Sequence, residues 1–152
     1  MSLTTVNEAD FSFTFPEGTW TNHSTQEAYD FRCGEQEQVM AVRHIPRKPL
    51  SQPELQAAVI DLYRVRISSA QQHSGTFCKF ESPTCSESPG EFDALVFAQD
   101  LRQRVFMQFG FFGTPHRIVV ISYYDYSGAA SPDTFKQRAS AMFSSVRVPG
   151  GV

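Results

Sequence analysis

The sequence predicts an α+β domain: a single antiparallel β-sheet with two main α-helices packed on one face. Three observations predict it. Apolar runs at 91–101, 102–112 and 116–124 follow one another across short polar or Gly-Pro turns, which is the pattern of an antiparallel meander. Two other segments, 51–71 and 131–145, carry apolar residues at helical spacing behind recognisable N-caps. The chain has 152 residues, 41% hydrophobic and 19% charged, enough for one domain with a sizeable core. Residues 1–148 are read as that domain and 149–152 as a flexible tail.

The elements follow in order. FSFTF (11–15) alternates Phe with Ser and Thr and stops at Pro16 and Gly18, so it reads as a half-buried strand and a turn. EAYDFRC (27–33) and QVMAVRHI (38–45) form a hairpin, closed by Gly34 and ended by Pro46. At Ser51-Gln-Pro-Glu54 the period changes. This is a capping box, after which Leu55, Ala58, Val59 and Leu62 make a helical stripe that yields at 73–75. TFCKFES (76–82) is a further strand, followed by PTCSESPG as a loop and then by the meander. Ser131 caps the last helix, Pro132 takes its first position, and Phe135, Ala139, Met142, Phe143 and Val146 form its stripe. Val105, Met107, Phe109, Phe135, Ala139 and Met142 are expected to share one core.

Opening on FTFPEGTW (13–20) and closing on FSSV (143–146), this succession of elements resembles the PsbP-like superfamily across about residues 8–148. That group includes photosystem PsbP proteins, a yeast Ran-binding import factor and the bacterial DcrB proteins. The size and the NEADFSF start are similar to the Eag chaperones of bacterial type VI secretion. The resemblance implies a small homodimeric chaperone or adaptor that binds the apolar N-terminal helices of a secreted effector and aids its loading.

Other functions find little support. The net charge is −3 and no basic run stands out, against a nucleic-acid surface. MSLTTVNEADFSF lacks the basic and apolar regions of an export signal, and no apolar run approaches the ~20 residues of a membrane span. Cytoplasmic localisation is therefore expected, with no membrane insertion. Cys33, Cys78 and Cys85 are an odd number; Cys78 and Cys85 could pair, but free thiols fit a reducing compartment better. His23, His44, His73 and His116 form no HxH or HxxxH pair, and FGFFGTPH has no following helix to make a phosphate site. No metal, cofactor or catalytic residue is expected, and the chain is not read as an enzyme.

The remaining clue is RQRVFMQFGFF (102–112), apolar on both faces as a strand. Val105, Met107, Phe109 and Phe111 are expected under the helices. The other face is expected to form a shallow client-binding groove: Phe97 and Phe106 as anchors, Gln99 and Gln108 as polar contacts, and Leu95 and Phe112 extending it. Met40 and Val42 are added from strand 38–45, as adaptable apolar contacts. Two other readings stay open. One is a small-molecule or lipid binding module on the same face; the other is a regulator of a folded protein partner.

Overall fold

The two glycines of the 105–114 strand explain the architecture, because each marks where a helix crosses the sheet. The computed structural model describes residues 3–128 and 131–149. Its strands are β1 (Thr5–Asn7), β2 (Ser12–Thr14), β3 (Thr21–Asn22), β4 (Tyr29–Cys33) and β5 (Glu37–His44), then β6 (Cys78–Phe80), β7 (Thr84–Ser88), β8 (Glu91–Asp100), β9 (Val105–Thr114) and β10 (Arg117–Asp125). Helix α1 (Gln52–Ser74) lies between β5 and β6, and α2 (Pro132–Ser144) follows β10. Eight strands form one sheet in the order β3-β4-β5-β10-β9-β8-β6, with β7 also paired to β8. All its pairings are antiparallel. β1 and β2 form a separate two-stranded sheet, so the expectation of one single sheet is corrected.

Gly110 and Gly113 are three positions apart and therefore face opposite sides. A Cβ on Gly113 would sit 2.7 Å from Leu55 Cδ1 of α1, whereas one on Gly110 would sit 2.6 Å from Phe143 Cε1 of α2. The helices thus lie on opposite faces of the sheet, a second correction. The physical reason is β9 itself. Both its faces are apolar, and each needs a cover.

The expected common core splits accordingly. Val105, Met107, Phe109 and Phe111 pack with Leu55 and Val59 of α1. Phe135, Ala139 and Met142 of α2 pack with Phe97, Phe112, Val119, Ile121 and Tyr123 on the other side. The α2 face is completed by the N-terminal segment. Phe11, Phe13 and Phe15 alternate inward and are all buried, with Trp20 stacked on Phe15 at 4.8 Å and donating its indole N–H to Pro16 O at 2.9 Å. Arg138 of α2 ties this layer to the sheet through an ion pair with Glu37 at 2.8 Å, and the same carboxylate accepts the Tyr123 hydroxyl.

The segment PTCSESPG is not a loop. It contains β7, whose five residues are all exposed, so it has no apolar alternation for a sequence pattern to detect. Backbone pairing to β8 and a turn at Gly90, with φ +78°, make it. Cys78 and Cys85 stand opposite Asp100 and Ala94 of β8. Six residues of strand are ~20 Å, far beyond the reach of a disulfide. All three cysteines are free. The expectation of a flexible tail falls on 150–152, outside the described residues, except for Pro149.

Candidate functional site

Helix α1 is tied down at its beginning and less buried beyond it. The Glu54 N–H donates to Ser51 Oγ and the Ser51 N–H to Glu54 Oε1 at 3.0 Å, closing the capping box. Gln52 reaches across to the β7–β8 turn, donating to Ser88 O and Glu91 O and accepting from the Gly90 N–H, all near 3 Å. The Leu50 N–H bonds Pro115 O in the β9–β10 turn. Leu55 and Val59 then press onto Gly113 and are fully buried. After Val59 no α1 side chain among the described residues is fully buried. Leu62 and Tyr63 are half-buried, and Val65 is 65% exposed.

Between this second half of α1 and the sheet lies a groove. Its larger part has a volume of about 480 Å3, with Val105, Met107, Phe109 and Tyr124 as floor and Arg66, Ser69, Ala70 and His73 as wall. A smaller part of about 200 Å3 continues it over Phe111 and Val120, under Leu62 and Val65 and beside His44. Arg66 and Ser69 belong to both. From Leu62 to His73 the helix rises ~16 Å, about three turns. The groove opens sideways onto the part of the sheet that α1 leaves uncovered. There Met40, Val42, Gln38 and Tyr124 are half-buried and His44 is exposed.

The polar groups of the groove are arranged around its aromatic floor. The Arg66 guanidinium lies 5.5 Å from the centre of the Phe109 ring, and Tyr124 meets the same ring edge-on at 5.9 Å. Tyr126 stacks on Tyr124 at 5.7 Å, and its hydroxyl donates to Gln38 Oε1 at 2.9 Å. Gln38 in turn donates to Asp30, which pairs with Arg32. Burial, then Tyr124 and Asp30, push the Tyr126 phenol up to about 12. Partial burial of its ring holds the His44 imidazole below its ordinary value, and Arg66 adds to this. The buried Cys78 thiol is pushed up by burial and by Asp100, the reverse of thiolate activation. Among the described residues, no three His, Cys, Asp or Glu side chains converge to hold a metal ion.

Of the eight residues predicted as the groove, six lie on the α2 face. Phe97 is only 5% exposed, with Phe106 at 6.1 Å and Phe135 of α2 at 5.9 Å. Phe106 is half-buried and 5.6 Å from Phe135; Phe112 is buried and stacks on Phe143 at 6.2 Å. Gln99 stands beside Phe106 in register, half-buried. Leu95 and Gln108 line a small pocket of about 260 Å3 against Lys136 and Ser140 of α2. These six share one face, as expected, but α2 occupies it. Met40 and Val42 stand opposite Ser122 and Val120 on the other face, beside the groove under α1. The set therefore does not form one surface, because β5 enters the sheet with Val39 and Ala41, not Met40 and Val42, facing α2. The sequence does carry one sign of the real opening. The apolar stripe of α1 ends at Leu62, while the helix runs three turns further.

No family model matches this sequence, and neither does any curated protein. Solved structures do match. The chain is similar to cyanobacterial PsbP (CyanoP) from Synechocystis sp. PCC 6803, with a TM-score of 0.68 at 14% identity, over 97% of this chain and 93% of that one. It is also similar to the Ran-binding protein Mog1p of Saccharomyces cerevisiae, with a TM-score of 0.56 at 14% identity, over 95% and 94% of the two chains.

Proposed function

From that shared PsbP-like fold and the groove under α1 we propose that this protein is a binding module for apolar helices of another protein. The observation that carries the reading is the groove itself, with an apolar floor, open along one side, and about three helical turns long. An adaptable Met floor and a partly exposed Val65 suit a client that must dock and leave. The setting we assign, from the resemblance at 13–20 and 143–146, is a cytoplasmic chaperone or adaptor. It holds the apolar N-terminal helices of a type VI secretion effector before loading. Two copies facing each other across their open half-faces would shelter such a helix from both sides, and sedimentation at micromolar concentration should show a dimer.

A second reading is favoured by the volume alone. About 480 Å3 lies within the ~300–1,000 Å3 of small-ligand sites, so a lipid or small molecule would also fit. Anisotropy of a labelled apolar helical peptide separates these readings. It should rise with wild-type protein and with Gln99→Glu on the α2 face, and fail to rise with Val65→Glu. Loss of binding in Gln99→Glu with retention in Val65→Glu would return the site to the α2 face. No peptide binding, with saturable uptake of a fatty acid, would favour the second reading.

A further inference from the structure

Arg66 stands where the two parts of the groove meet, at the middle of its length. Among the described residues it makes no ion pair, whereas Arg32, Arg43 and Arg138 each pair with a carboxylate. Its guanidinium instead lies over the Phe109 ring. Asp100 also lines the larger part, but its carboxylate accepts from the backbone N–H groups of Arg102 and Gln103 in the β8–β9 turn. The other titratable lining groups are His44, His73, Cys78, Tyr124 and Tyr126, none of them a carboxylate. The groove therefore has an apolar floor with a cation at its centre, and that cation adds to the lowering that burial imposes on the neighbouring His44.

A guanidinium offers five donors in a planar fork that matches a carboxylate. An apolar segment covering Arg66 would strip its water, so an occupant lacking an anion there would leave those donors unsatisfied. The apolar floor extends both ways from Arg66, to Phe111 and Val120 on one side and to Val105 and Met107 on the other. The complementary anion is thus flanked by apolar groups on both sides. A fatty acid carries its carboxylate at one end and fits this poorly.

We propose that the segment received by the groove carries an Asp or Glu within its apolar run, and that this carboxylate pairs with Arg66. This rests on the helix-binding reading given above. The test uses three labelled helical peptides of one apolar sequence: a central Glu, a central Gln, and a Glu moved to one end. The central-Glu peptide should bind wild-type protein about tenfold more tightly than either of the others. With Arg66→Gln that preference should vanish, and with Arg66→Lys part of it should survive, at unchanged melting temperatures. Equal binding of all three peptides to wild type would overturn the Arg66 assignment and leave the helix-binding reading intact. Equal preference for the terminal Glu would overturn the mid-run geometry. Binding of none would overturn both readings, and displacement of the central-Glu peptide by myristate through Arg66 would make the anion a lipid headgroup.

Discussion

The two faces of the sheet are built by the same strands, yet one is closed and the other half open. On the α2 face, Phe135, Met142 and Phe143 cover β8 to β10, and the N-terminal aromatic segment covers β4 and β5. On the α1 face a longer helix does less. It is clamped by Gln52 and seated by Leu55 and Val59 on Gly113, then runs on without burying another side chain completely among the described residues. Helix length and burial are thus separate matters. A helix held at one end by caps and a glycine crossing can leave apolar sheet beside it uncovered, and such surface is what a partner protein uses.

The closed face should be the costly one to damage. Phe135→Ala removes a fully buried ring that stacks on Tyr123 at 4.9 Å, and should cost about 3–5 kcal/mol in urea unfolding. Phe106→Asp should also lower the melting temperature clearly, because its ring lies against Phe97 and Phe135. An unchanged melting temperature there would reopen the α2 face as a binding surface.

Next in size is the crossing that seats α1. Gly113→Ala would place a Cβ 2.7 Å from Leu55 Cδ1 and 3.1 Å from Phe92 O, a backbone atom that does not yield easily. A loss of about 1–3 kcal/mol is expected, with altered peptide affinity as α1 shifts. Destabilisation with unaltered affinity would separate the crossing from the groove.

A smaller effect belongs to Asp93, on the α2 face beside Val146, Arg147 and Val148. Burial, then the Glu91 charge, push its carboxyl up to about 6, although the Gly113 N–H opposes the shift. The folded state holds this proton more tightly than the unfolded state. Its contribution is full below about pH 4 and is lost as pH rises through 6. Asp93→Asn should therefore gain on the order of 1 kcal/mol over wild type between pH 4.5 and 7.5. A difference that does not change with pH would remove this assignment. The least effect on stability is expected from Val65→Glu, within about 0.5 kcal/mol, although it should abolish peptide binding.

Much of the fold was legible because local chemistry and packing agree. The Ser51 and Ser131 caps, the Pro132 start and the alternation of β8, β9 and β10 all stand where the residues indicate. The polar edge strand β7 and the two-residue β3 were not legible, since backbone pairing makes them and no apolar period marks them. Within the predicted client-binding set only Met40 and Val42 take the other face of the sheet. Phe97, Phe106, Gln99 and Gln108 do share a face, but an apolar face announces only that something covers it, and here α2 does. The sidedness was readable in Gly110 and Gly113, whose odd separation sends two close approaches to opposite faces.

Methionine methyl NMR distinguishes the open face from the closed one, because the methionines sample both. Met107 lies in the groove floor, Met40 on the open sheet beside it, and Met142 on the buried side of α2 in the closed core. On titration with a central-Glu apolar helical peptide, the Met107 and Met40 methyl resonances should shift in a saturable way while Met142 stays in place. Movement of Met142 with Met107 and Met40 unchanged would put the binding surface on the α2 face and leave the groove under α1 without a client.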